Sequence, residues 1–275
     1  MPPILILGAG FTGSRVAHLL AAQGHTIRAL RRADLDFTLP DAPAQLARLT
    51  PPGAHVLHSI PSLPDQADAK LLTGLSSRAA RVVYLSTTGV YGTQEFVNED
   101  SPIKPATERE LHRAATEAAV QAGPWSSLIL RPAAIYGPHR GVHISLAQGK
   151  YTLLGDGSNY ISRIHVDDLA RLAAAALLSP LTGAYPVADL LPCPSREIAD
   201  YCANLLGLPP PIPAPASAVP VSRQANRRVD ARAIFRLLGV DLLYPTYREG
   251  LAQAIAAEKN PAAEKNPAAE TPTSA

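Results

Sequence analysis

The chain has 275 residues, 47% of them hydrophobic and 17% charged, which is enough apolar material for one large α/β core and too much for a chain disordered throughout. The formal net charge is +2, and the 25 basic residues are scattered, without the dense runs or aromatic interleaving that mark nucleic-acid or membrane-surface binders. Cys193 and Cys202 lack metal-ligand spacing, the N-terminal apolar run is too short for a signal peptide and no window has the length of a membrane span; the reading is a cytoplasmic protein with a small-molecule partner, no nucleic acid and no membrane.

The opening stretch, "PILILGAGFTGSRVAHLLAAQGHTIRALRR", reads as strand, glycine turn, helix and strand. Ile4 to Leu7 form an unbroken apolar run, expected of a parallel strand buried on both faces. Val16, Leu19 and Leu20 recur at helical spacing before Gly24 ends the helix. Between strand and helix, Gly8, Gly10 and Gly13 satisfy Gly-x-Gly-x-x-Gly in the context that gives the motif its meaning. Gly8 allows the tight turn, Gly10 lets backbone approach a pyrophosphate, and Gly13 lets the helix close onto the strand. The amides around Phe11 and Thr12, at the helix start, then face the phosphates. The second strand ends in Arg31 and Arg32 where an NAD site places an acid. A guanidinium fork suits a 2′-phosphate, so NADP is the expected cofactor, with Arg31 on the phosphate and Arg32 against adenine. Asp34 is a rival acidic ligand that keeps NAD as the alternative, and two solvated arginines are the bland reading.

Further along, "RVVYLSTTGVYG" (81–92) reads as a buried strand ending in the hydroxyl cluster Ser86, Thr87 and Thr88, followed by Tyr91. A helix is expected from about Thr107 to Ala122, carrying Leu111, Ala115 and Ala118. On it Arg109, Arg113 and Glu117 stand four apart and share one face, with His112 on the other side. "LILRPAAIYGP" (128–138) is another strand, bearing Arg131, Pro132 and Tyr136. His139 and His143 are four apart, but Pro138 and Gly141 argue against the helix that a metal pair would need, so no metal site is expected. Asp167 and Asp168 precede an alanine-rich helix and are read as its N-cap and dipole partners. The proline-dense stretch 207–222 is read as an extended surface linker, and residues 257–275, with a repeated Glu-Lys-Asn-Pro-Ala-Ala, as a disordered tail.

The glycine turn, the Val-Tyr-Gly and Arg-Pro…Ile-Tyr-Gly-Pro blocks and "IHVDDLARLAAAALL" together resemble the extended short-chain dehydrogenase/reductase superfamily, in its NAD-dependent epimerase/dehydratase branch. The resemblance covers residues 1–256. It implies an α/β, Rossmann-type doubly wound parallel sheet with a small C-terminal substrate-binding lobe from about 137–165 and 183–256. Ligands of such sheets lie beyond the carboxyl ends of the strands. There Gly8, Gly10, Phe11, Thr12, Gly13, Ser59, Ile60, Pro61, Ser86, Arg131 and Pro132 would meet the cofactor, with Arg109, Tyr136 and Arg163 in the substrate cleft. Some relatives pair through the helix near 107–122, which leaves a homodimer open by analogy.

Family chemistry, as the resemblance implies, uses Ser or Thr with Tyr-x-x-x-Lys: tyrosine moves a proton, lysine holds the ribose, and hydride passes to or from nicotinamide. Thr87 matches the Ser/Thr position, although a strand-end cap is an equal reading of that cluster. Tyr91 is a further donor or acceptor. Arg109, however, stands at the tyrosine position and Arg113 at the lysine position. An arginine stays protonated and cannot shuttle a proton, while Arg113 can still hold a ribose. Ala134 and Ile161 replace residues that commonly meet nucleotide sugars, with Arg163 two positions on. The reading is an atypical oxidoreductase or isomerase on an unidentified small molecule; the alternative is a non-catalytic NADP-binding sensor.

Overall fold

The structure, a computed structural model, describes residues 1–219 and 223–260. Six parallel strands form the central sheet: β1 (Ile4–Leu7), β2 (Ile27–Leu30), β3 (Ala54–His58), β4 (Ala79–Leu85), β5 (Ser126–Pro132) and β6 (Gly183–Val187), in the order β6-β5-β4-β3-β1-β2. The order reverses at β1, whose neighbours are β2 on one side and β3 on the other, so the crevice of a doubly wound sheet opens at the end of β1.

Alternate strand residues look to opposite faces, and each face has its own core. Ile4, Ile6, Leu57, Val83, Leu128 and Leu130 meet Val16 and Leu20 of α1 (Gly13–Ala22) and Leu169, Leu172 and Ala173 from 166–178. Leu5, Leu7, Val56, Val82, Tyr84 and Ile129 meet Leu46 of α2 (Ala42–Leu49), Leu71 of α3 (Ala67–Leu71) and Val120 of α4 (Glu108–Ala122). This explains why β1 reads as continuously apolar: both of its faces are covered.

α4 opens with a capping box, in which Thr107 accepts from the Glu110 amide and Glu110 from the Thr107 amide. Its buried face carries Arg113, Thr116, Glu117 and Val120, whereas Leu111 is 53% exposed. The helix therefore presents its polar register inward, the reverse of a face led by Leu111, Ala115 and Ala118.

The rest of the chain builds the lobe from α5 (Val142–Ala147), α6 (Val166–Leu178, shared with the sheet), α7 (Ser195–Leu206), α8 (Arg232–Leu238) and α9 (Tyr247–Lys259). Tyr136, Cys193, Ile198, Cys202, Tyr247 and Leu251 form its own core, and both cysteines are buried thiols. The expected N-cap of α6 is displaced: His165 caps the helix through the Asp167 amide. Asp167 instead pairs with Arg15 at 2.9 Å, and Asp168 accepts from the amides of Leu243 and Tyr244 at 2.6 and 3.0 Å. α9 runs to Lys259, three residues into the segment read as tail, because Ala257 still packs; residues 261–275 lie outside the described residues. In the proline-dense stretch, Pro213–Ala214 pairs in parallel with Leu153–Leu154, and residues 220–222 lie outside the described ones.

Arg227 ties lobe to sheet. Its Nε donates to the Gln94 carbonyl at 3.1 Å, Nη1 to Thr88 at 2.7 Å, and Nη2 to Gly92. Next to it Arg228 and Val229 pair with Phe96 and Val97.

Candidate functional site

Each glycine of the turn has a distinct steric reason. Gly8 has φ +89°, and an added Cβ would lie 3.0 Å from the Ser59 carbonyl carbon. A Cβ on Gly13 would lie 2.3 Å from the Gly8 carbonyl oxygen, whereas one on Gly10 would meet nothing within 4 Å. The turn is thus closed at Gly8 and Gly13 and open at Gly10, the shape that a close-approaching phosphate needs. Ser59 donates to the carbonyls of Leu7 and Gly8 at 3.0 and 2.7 Å, so it clamps the ends of β1 and β3. Phe11 carries two guanidinium groups, Arg15 at 4.6 Å and Arg140 at 5.2 Å from its ring centroid.

At the end of β2, the Asp34 carboxylate accepts from the Arg31 amide at 2.7 Å, and the Asp34 amide donates to the Arg31 carbonyl. Asp34 closes this turn through Oδ2 and stays exposed. Arg31 is exposed, and Arg32 sits 3.7 Å from Asp36 with its side chain 74% exposed. The dinucleotide thus fits this turn by shape and charge: an open approach at Gly10, amides at the start of α1, and two exposed guanidinium groups one strand away.

Beyond β4, Thr87 accepts from the Gly89 amide at 3.1 Å and caps the turn Thr88–Tyr91, while the Ser86 hydroxyl is buried with no partner. Tyr91 is fully buried; its phenol accepts from Arg131 at 3.1 Å, and burial pushes its pKa up. Arg131 is held by Glu117 in a fork, with contacts of 2.7 to 3.2 Å. Glu117, Arg131 and Tyr91 thus form one buried polar chain behind the cleft wall, and Pro132 follows it in the buried end of β5.

The two arginines of α4 differ sharply. Arg113 is buried and donates to the Tyr84 hydroxyl at 2.6 Å and to the Ile60 carbonyl at 3.3 Å, while its Nε has no partner. Beside it, Thr116 donates to Asp68 at 2.9 Å and the His58 ring packs at a tilt against Tyr84, centroids 4.8 Å apart; burial lowers the His58 pKa to about 4, which keeps the ring neutral. Arg109 is exposed and lines a recess of about 350 Å³ with Pro61, Ser62, Leu63, Pro64, Glu108 and His112. His112 belongs on this side, not across the helix, because residues three apart are neighbours on a helix surface.

Two residues expected at the substrate point into the lobe. The Tyr136 hydroxyl is buried without a partner, in space that any side chain at Gly250 would invade at 2.1 Å. Arg163 is buried, donates to the Ile161 carbonyl at 2.9 Å and lies 3.4 Å from Cys193 Sγ. His143, inside α5, faces Glu258 of α9 at 2.9 Å. A larger cavity, about 730 Å³, opens where 96–101, 189–192 and 228–232 meet. Asp189, just past the carboxyl end of β6, is on its wall. No motif marks these residues, and they come from three distant segments, so spacing alone could not assemble them.

The profile of the NAD-dependent epimerase/dehydratase family matches residues 66–187. A Streptomyces protein described as 3-diazoavenalumate denitrifying reductase is 31% identical over 244 residues, covering 83% of this chain and 78% of its own. A solved protein of unknown function from Silicibacter pomeroyi DSS has a TM-score of 0.75 at 31% identity, over 93% of this chain and 99% of that one. At the level of fold, the Thermus thermophilus UDP-glucose 4-epimerase, solved with NAD, has a TM-score of 0.75 at 22% identity, over 94% and 99% of the two chains. Another fold neighbour, a human epimerase-family protein at 19% identity, was solved with NADPH.

Proposed function

This chain belongs to the NAD-dependent epimerase/dehydratase family, and on that premise we propose that it is an NADP-dependent reductase working without a tyrosyl proton relay. The observation that carries the reading is the coexistence of an intact glycine turn, open at Gly10, with arginine at both 109 and 113. The amides at the start of α1 hold the pyrophosphate and Arg31 takes the 2′-phosphate, while the Asp34 carboxylate accepts from the Arg31 amide. When bound, the dinucleotide supplies hydride at its nicotinamide ring. Arg113, fixed by Tyr84 and Ile60, places positive charge under that end of the cleft. Neither arginine can release a proton. Acceptors whose reduction needs no concerted proton from the protein therefore suit the site better than ketones do, the diazo class named for the Streptomyces relative among them.

Calorimetric titration with NADPH and NADH, followed by nicotinamide absorbance with a panel of diazo, iminium and carbonyl acceptors, tests this. The expected result is NADPH bound at least tenfold more tightly than NADH and oxidised by the first two acceptor classes. Arg31→Ala should remove about 1.5–3 kcal/mol of NADPH binding, the worth of a charged hydrogen bond, and leave NADH unchanged. Tight NADPH binding without turnover would favour a second reading, a non-catalytic NADP sensor; the burial of Tyr91 and Arg113 in hydrogen-bonded networks supports that alternative.

A further inference from the structure

The 730 Å³ cavity is walled by Val97, Leu190, Pro192, Val229 and Ala231, with Phe96 at its edge 69% exposed. A volume of this size suits a small organic ligand. Its charges do not cancel. Arg232 and Asp230 satisfy each other at 2.5 Å. Arg228 makes no ion pair with any described acid; its Cζ lies 3.5 Å from the Tyr160 ring centroid and 4.9 Å from that of Phe96, and its Nη1 has no hydrogen-bond partner. Asp189, only 2% exposed, also lines the cavity; Oδ1 accepts from the Leu191 amide and Oδ2 has no partner. Burial raises the Asp189 pKa to about 7, so near neutrality the carboxyl can carry a proton and donate. A buried polar atom without a partner is costly, and both residues that carry one line this cavity, with Phe96 at its edge.

We propose that this cavity is the substrate pocket and takes a flat aromatic monocarboxylate, with the carboxylate on Arg228, the ring against Phe96 and a polar ring substituent on Asp189. The proposal rests on the reading of the chain as a reductase for the word substrate, though not for binding. Asp189 lies beyond the carboxyl end of β6, on the same side of the sheet as the glycine turn that follows β1. Arg227, next to Arg228, grips the Thr88–Gln94 turn that follows the hydroxyl cluster. One unpaired guanidinium matches a single negative charge; a nucleoside diphosphate would bring more charge than the described lining can pair.

The test is calorimetric titration of the full chain with 4-hydroxybenzoate and, as the neutral isostere, 4-hydroxybenzamide, each with and without NADPH. The carboxylate should bind and the amide should bind at least tenfold more weakly. Arg228→Gln should weaken the carboxylate at least tenfold, Arg228→Lys should restore part of it, and Phe96→Ala, at an exposed site that leaves folding intact, should weaken both probes. NADPH affinity should stay within twofold in every variant. Equal binding of acid and amide, indifference to Arg228→Gln, or no binding of the acid overturns the proposal. If the acid binds as expected and NADPH does not, the pocket stands and the reductase reading fails; the reverse result removes the pocket alone.

Discussion

The β1–α1 turn and helix α4 both carry positions that the family resemblance assigns to cofactor binding and catalysis, yet they retain different things. The turn keeps its residues because backbone geometry admits little else: a Cβ at Gly13 would sit 2.3 Å from a carbonyl oxygen. α4 keeps its frame and changes its chemistry, with Arg113 bonded into the core and Arg109 in solvent at the two family positions. Steric requirements allow few replacements, whereas a helix face accepts any side chain for which the surroundings supply partners.

The largest expected effect breaks the partnership on α4. Glu117→Gln leaves Arg131 charged and buried without its fork, which should cost about 3–5 kcal/mol of stability, read by chemical denaturation. A loss below about 1 kcal/mol would mean that the pair is solvated in solution. Next, the turn can be divided by steric demand. Gly13→Ala should destabilise by roughly 1–3 kcal/mol through forced overpacking, while Gly10→Ala should leave the melting temperature unchanged and still weaken NADPH at least tenfold. Similar melting curves for the two variants would dissolve the distinction drawn between them. On α4 itself, Arg113→Lys should cost on the order of 1–2 kcal/mol, as hydrogen bonds from a charged donor are lost. Arg109→Tyr, at an exposed position, should stay within about 0.5 kcal/mol, so that equal losses would contradict the assignment of buried and exposed arginines.

A further effect concerns pH. Asp189 has its pKa raised from 3.8 to about 7 by burial, with Arg163 opposing and Asp168 and Glu249 adding to the rise. Between those values the folded state holds more protons than the unfolded one, so this group's contribution to stability falls as pH rises from about 4 to 7. Asp189→Asn should flatten that part of the stability curve, leaving the same-signed contribution of Asp168, itself raised to about 6. An unchanged slope would show that Asp189 ionises normally.

Much of the fold could be read from pattern. The apolar run Ile4–Leu7 marks a strand covered on both faces, and the glycine spacing marks the turn, because both signals are local. The candidate site was less legible. Spacing shows that Arg109, Arg113 and Glu117 share a helix face, but not which way each looks; partners supplied by β4 and β5 hold Arg113 and Glu117 inward and leave Arg109 exposed. Tyr91 and Tyr136 lie in blocks that suggest a cleft, yet their hydroxyls end in the interior, since packing against Arg131 and Gly250 is a tertiary fact. His165 took the α6 cap from the acids because Arg15 and the 243–244 amides claim them. The cavity residues Phe96, Asp189 and Arg228 are too far apart in the chain to form a motif.

The grip of Arg227 on three carbonyls has a consequence for how the molecule opens. A segment held through one side chain of a distant element exchanges its amide hydrogens when that element departs, not by local fraying. Amides of the turn 88–94 should therefore exchange in step with those of 227–235, as one cooperative unit. Thermal breathing of this protein would then separate lobe from sheet as a block, and a protease sampling that opening would find both segments accessible together.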